Sequence, residues 1–173
     1  MKNLSKTSKV ILVITFVSYA LWLGTYVAKN LIFFQFFEPG TMAIKGVYAK
    51  ADLLGIFYTV YPVITINIIC YALFVIFFLL FTVTSKLSLR NNGWLFISLL
   101  VVILTMPVEL YLIFKYDFNF AVQANNLTIS VQPALELIKQ RVTKFGMYSF
   151  VSIFSTVSIL LFFIFKPLTK NEN

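Results

Sequence analysis

Two charges set inside apolar runs, Lys29 and Glu109, are the residues best suited to chemistry in this chain. Lys29 closes the stretch Thr15 to Lys29 (TFVSYALWLGTYVAK). There Thr15, Ser18, Trp22, Thr25 and Lys29 follow one another at spacings of three, four, three and four. A helix sets such positions along one face. Glu109 ends a second stripe, Ser98, Thr105 and Glu109, at spacings of seven and four. The two stripes are expected to face each other, with Lys29 and Glu109 forming an ion pair. A lone charge at membrane depth costs about 2.5–3.5 kcal/mol, which pairing offsets. Such a pair serves either as an intramembrane site for a proton, an ion or a substrate, or as a structural tie. A third arrangement has Lys29 reaching the outer interface and Glu109 a water pocket. Trp22, Tyr26, Asn67 and Thr105 are the remaining candidate binding positions around the pair.

The chain lacks other constellations. It contains no histidine, which removes the commonest general base, the commonest transition-metal ligand and the usual haem ligand of membrane proteins. Cys70 is the only cysteine, so an intramolecular disulfide, a CxxC pair and a zinc cluster are excluded. No catalytic or metal-binding residue and no cofactor is expected. Ser149, Ser152, Ser155, Thr156 and Ser158 lie late in the sequence, but a serine nucleophile needs a base. Ser152 and Thr156 instead have the small-xxx-small spacing that lets helices approach closely. Asn67 and Cys70 share a helix face, and a hydrogen bond to a neighbouring helix accounts for Asn67. Phe33, Phe34, Phe36, Phe37, Tyr58 and Tyr61 form either an interfacial aromatic belt or the wall of a cavity for a lipid, quinone or other apolar ligand.

These residues require helices in lipid to position them. The chain of 173 residues is 60% hydrophobic and 12% charged, against about 25% charged in soluble domains. Its mean hydropathy is +0.92. The net charge of +8 lies mostly outside the apolar runs, which points to membrane topology and not to nucleic acid. The fold class expected is an all-α integral membrane bundle of four transmembrane helices, one domain over 1–173. The spans expected are about 10–37, 54–84, 94–114 and 147–165, each near or above the roughly 20 residues that cross hydrocarbon. Glu38-Pro39-Gly40 marks a turn, Thr41 to Lys50 a short interfacial helix, and Asp52 a helix cap. Pro62 is expected to kink the second span or to mark its start.

The loops 38–53 and 115–146 are expected to build a small extracytoplasmic cap. Phe118, Phe120 and Val122, then Leu127, Ile129 and Val131, alternate around Ala124-Asn125-Asn126, as in a β-hairpin. After Pro133, the positions Leu135, Ile138, Val142 and Phe145 repeat at helical spacing against Glu136, Lys139, Arg141 and Lys144. That predicts an amphipathic helix feeding the fourth span. Lys2, Lys6, Lys9, Lys86, Arg90, Lys166 and Lys170 flank the spans on one side, on short segments. Lys45, Lys50, Lys115, Lys139, Arg141 and Lys144 lie on the other. Seven against six, with the seven hugging the membrane, predicts cytoplasmic termini. The Lys-, Asn-, Ile- and Phe-rich composition predicts a bacterial inner membrane. Asn126-Leu127-Thr128 matches a glycosylation acceptor.

The arrangement resembles the small bacterial four-helix membrane proteins of the anthrone-oxygenase-like domain family. Leu23-Gly24 matches the small-residue break of that family's long first helix. Pro107-Val108-Glu109 matches its Pro-x-Asn motif, with Glu in place of Asn. Leu135 to Lys144 matches the basic amphipathic segment before its fourth helix. The resemblance implies a four-helix membrane fold and, by analogy, a membrane-embedded oxidoreductase. The residues themselves point first to a non-enzymatic accessory or apolar-ligand-binding protein. The second reading is a small oligomeric transporter or channel component using Lys29 and Glu109. Expected partners are the lipid bilayer, an apolar small molecule or lipid, and a second copy or another membrane subunit.

Overall fold

The computed structural model describes residues 4–49, 51–126 and 130–169. Ser5 opens the first helix, α1 (Lys6–Gln35), by accepting a hydrogen bond from the Ser8 amide at 3.0 Å. That satisfies one of the amides a helix start leaves without a partner. The chain turns after Phe37, with Gly40 at φ 87°, and forms one helical turn, α2 (Gly46–Ala49). Asp52 caps α3 (Leu53–Thr84), accepting from the Gly55 amide at 3.1 Å. Pro62 lies inside α3, whose helix continues on both sides of it. A tight turn leads to α4 (Gly93–Leu112). This helix passes through a π-helical turn, Ile113–Asp117, into α5 (Phe118–Asn125). The last helix, α6 (Val131–Phe165), is unbroken and ends where Lys166 takes a left-handed conformation.

Four rods are long and apolar enough to cross a membrane: α1, α3, the continuous rod Gly93–Asn125, and α6. They run alternately up and down. The Ser8 hydroxyl donates to the Thr84 carbonyl at 3.0 Å, and the Gly93 amide to the Leu168 carbonyl at 3.2 Å. These bonds gather the N-terminus, the α3–α4 turn and the C-terminus at one end, the terminal end. At the opposite, loop end, Tyr61 donates to Asn125 at 3.2 Å. α1 packs along α3, and α4 along α6.

The core is layered along the rods. Phe33, Phe36, Phe57, Phe120 and Ile138 fill the loop end. Tyr19, Trp22, Tyr71, Phe74 and Val102 fill the middle. Phe81, Trp94 and Leu95 fill the terminal end. Outward faces are apolar as well: Val13, Leu21, Ile69, Ile103 and Phe154 are at least half exposed. An exposed apolar surface of this extent suits lipid and not water.

The structure departs from the expected β-hairpin. Phe118 to Asn125 is helical, and no strand forms among the described residues; Leu127 and Ile129 lie outside them, as do Leu127 and Thr128 of the acceptor motif. The apparent alternation is two helical pairs superimposed. Phe120 and Ala124, four apart, are buried, while Phe118 and Val122, four apart, face outward. The third rod thus runs past 114 to Asn125. Likewise α6 begins at Val131, so the amphipathic helix and the fourth span are one helix. Of the aromatic group at the loop end, Phe33, Phe36 and Phe37 are buried in the core. Phe36 packs edge-on against Phe57 at 6.0 Å, and Phe57 against Phe120 at 5.7 Å.

Phe57 is fully buried, so Phe57→Ala is expected to cost about 3–5 kcal/mol through the cavity it leaves. Phe118→Ala, on the outward face, should stay within about 0.5 kcal/mol. Thermal unfolding of both variants in the same detergent checks the contrast.

Candidate functional site

The inward stripe of α1 leads to a group of charged and polar side chains enclosed by all four rods. Lys29, Asp117, Arg141 and Glu109 are 0%, 1%, 2% and 1% exposed. Two cations and two carboxylates are therefore buried together, and their formal charges cancel.

Asp117 is the hub. Lys29 Nζ lies 2.6 Å from its Oδ2. Arg141 Nε lies 3.1 Å from its Oδ1, a Coulombic contact whose N–H is not aligned for a hydrogen bond. Arg141 Nη2 donates to Oδ2 at 3.5 Å. Asn67 on α3 joins from the side: its Oδ1 accepts from Lys29 Nζ at 2.8 Å. Its Nδ2 donates to the Trp22 carbonyl at 3.2 Å and to Thr25 Oγ1 at 3.0 Å. Arg141 Nη1 donates to Asn30 Oδ1 at 3.1 Å, and Asn30 Nδ2 donates to the Tyr26 carbonyl at 2.8 Å.

Glu109 belongs to a second level. Tyr26 donates to its Oε1 at 2.9 Å and Ser152 to the same oxygen at 2.6 Å. Tyr26 links the levels. Its hydroxyl holds Glu109 while its ring lies 5.0 Å from Lys29 Nζ and 6.0 Å from the Arg141 guanidinium. Cations over an aromatic face are attracted by its quadrupole.

The expected Lys29–Glu109 ion pair is corrected by this geometry. Lys29 does have a carboxylate partner, but it is Asp117, while Glu109 is held by two hydroxyls. The π-helical turn explains the exchange. On a regular helix, positions eight apart such as Glu109 and Asp117 differ by about 80° in direction. The wider turn takes up an extra residue and brings both carboxylates inward.

Of the other candidate positions, Tyr26 and Asn67 join the cluster directly. Trp22 contributes its carbonyl and packs its ring against Phe74 at 6.0 Å, nearly parallel. Thr105 stands apart: its hydroxyl donates to the Val101 carbonyl on its own helix at 2.9 Å, and its carbonyl accepts from Tyr148 at 3.0 Å. Ser152 does more than allow close packing, since it hydrogen-bonds Glu109.

Asp117, Arg141 and Asn30 are site members that the sequence reading did not single out. For Arg141 a signal exists. It falls three residues after Ile138 and four before Phe145, on the apolar side of α6. For Asp117 the signal is weaker: apolar residues resume at Phe118, so the rod does not end before it.

Removing the hub should hurt most. Asp117→Asn leaves Lys29 and Arg141 buried without their shared counter-ion, and about 3–5 kcal/mol of stability should be lost. A double-mutant cycle of Lys29→Met with Asp117→Asn should give a larger coupling energy, in the range of about 0.5–3 kcal/mol, than the cycle with Glu109→Gln. Denaturation in mild detergent measures both.

No protein family, curated protein or solved structure matches this chain.

Proposed function

We propose that the protein is a non-enzymatic integral membrane protein that holds an apolar ligand, a lipid acyl chain or a similarly slim molecule, between α3 and the third rod. One observation carries this reading. A groove of about 310 Å³ opens along that seam, with Ile68, Tyr71, Val75, Met106, Leu110 and Phe114 among its walls. Ligand sites usually measure about 300–1,000 Å³ and are mostly apolar. α3 meets the third rod mainly through the π-helical turn and α5, while α4 packs chiefly on α6, which leaves the α4 part of the seam open to lipid. The void beside Asp117 and Arg141 is about 10 Å³, at the lower limit for one water molecule. Its bonds connect four rods, so its role is to hold the bundle.

The same reading sets the membrane. Exposed side chains on α6 change from Glu136, Thr143 and Lys144 to Met147, Phe150 and Phe154. Lys144 to Phe165 spans about 32 Å, and Gly93 to Lys115 about 33 Å, at about 1.5 Å per residue. Both match the hydrocarbon thickness of about 30 Å. The helices beyond Lys115 and Lys144, with the α1–α3 connection, then form a cap outside the lipid. Asp117, Lys29 and Arg141 lie at its base. Burial of Arg141 also removes it from the orienting charges, leaving five against seven, which strengthens the placement of the termini in the cytoplasm of a bacterial cell.

A photoreactive fatty acid tests the ligand site. Labelling should map to Ile68–Ile76 and Met106–Phe118. Ala72→Trp, which fills the groove, should abolish it, and Leu104→Trp, on the open lipid face, should not. Uniform labelling of all four rods would overturn the reading. Proton or ion flux in liposomes that vanishes with Glu109→Gln would establish the transport reading instead.

A further inference from the structure

We propose that the terminal end carries a binding site for the headgroup phosphate of an anionic phospholipid, in the recess between the α3–α4 turn and the C-terminal turn. The recess measures about 620 Å³ and is lined by Leu89, Arg90, Gly93, Phe96, Leu168 and Thr169. It is a built feature. The Gly93 amide donates to the Leu168 carbonyl, and Asn92 pairs with Thr169 in an isolated antiparallel bridge. Lys166 and Leu168 both take positive φ, 44° and 59°, a conformation that is strained for residues other than glycine. The two elements meet so closely that a Cβ on Gly93 would stand 2.6 Å from the Leu168 Cβ.

Its chemistry is divided as a phospholipid is. Arg90 is exposed and has no ion-pair partner among the described residues. A guanidinium presents a fork of donors matched to phosphate. The Gly93, Leu95 and Phe96 amides at the start of α4 already have carbonyl acceptors, so this helix end adds only the positive end of its dipole, and Arg90 is the donor. Beside this polar corner, Phe96 is 49% and Leu168 71% exposed, and Phe96 begins an outward apolar face that continues through Leu100 and Ile103. A headgroup at Arg90 therefore sets its acyl chain along α4. The surrounding charge selects the headgroup class. Lys6, Lys9, Lys86, Arg90 and Lys166 lie at this end, with no carboxylate among the described residues there. A zwitterionic lipid would find no carboxylate for its ammonium among the described residues of this end, whereas an anionic one meets Arg90 in the recess and a net positive charge at the same end.

Native mass spectrometry of the full chain, released from detergent containing equal amounts of phosphatidylglycerol and phosphatidylcholine, tests the site. Phosphatidylglycerol should be retained in preference. Arg90→Gln should lower its retention about fivefold, the factor for one cation near an anionic surface. Lys9→Gln, at the same end but outside the recess, should change it by less than about twofold. Arg90→Lys, which keeps the charge but not the fork, should fall between wild type and Arg90→Gln. Equal retention of the two lipids, no effect of Arg90→Gln, or an equal loss with Lys9→Gln would overturn the proposal. So would displacement of the lipid by millimolar inorganic phosphate, which would assign the recess to a free anion.

Discussion

One carboxylate shared by two cations constrains this bundle more than any other contact. Asp117 on the third rod meets Lys29 from α1 and Arg141 from α6, and Asn67 brings α3 to the same point. Lipid tails are as apolar as leucine, so in a membrane the hydrophobic effect does little to choose one helix arrangement over another. Buried charges do choose. A single-residue slip rotates a helix by about 100°, which would turn Lys29 or Arg141 away from its counter-ion and toward an apolar neighbour. The cluster therefore sets the mutual rotation of rods whose outer faces would tolerate many. A buried ion pair is weak evidence for stability, and register is its best attested use.

Aromatic packing then completes what the charges begin. Tyr26 serves both, since its hydroxyl reaches Glu109 while its ring adjoins both cations and stands 5.1 Å from Trp22. Below it Trp22, Tyr71 and Phe74 pack as a continuous aromatic layer. Above it Phe33 lies against Arg141 at 5.8 Å and belongs to the loop-end core. The charged layer is enclosed by tightly packed apolar layers on both sides, which keep water from it and so strengthen its electrostatics.

Much of this was legible in the amino-acid order. Long apolar runs announce the four rods, and the spacing from Thr15 to Lys29 announces that one side of α1 faces inward. Thr15, Ser18, Trp22 and Lys29 are all buried. Lys29 also signalled the need for a carboxylate. Which carboxylate was not legible, because a regular helix points Glu109 and Asp117 in different directions and only the π-helical turn reconciles them. Arg141 was obscured differently. Glu136, Lys139 and Lys144 surround it in sequence and are polar-face residues, so its charge masked its position on the apolar side. The segment after Lys115 misleads through its own richness in phenylalanine. A helix buried on one side and apolar on its exposed side as well is apolar around most of its circumference, and periodicity then stops distinguishing a helix from a strand.

The π-helical turn has one more consequence. It acts as a phase dislocation in the third rod. Residues before Ile113 and after Asp117 each follow an ordinary helical repeat, but the two repeats are offset. Glu109 and Leu112 belong to one lattice, Phe120 and Ala124 to the other, and both lattices present their inner faces to the same bundle axis. The number of residues between the halves is therefore fixed more strictly than their identity. A side chain in this stretch can be exchanged for one of similar size, but a residue cannot be lost or gained without turning one half of the rod inside out.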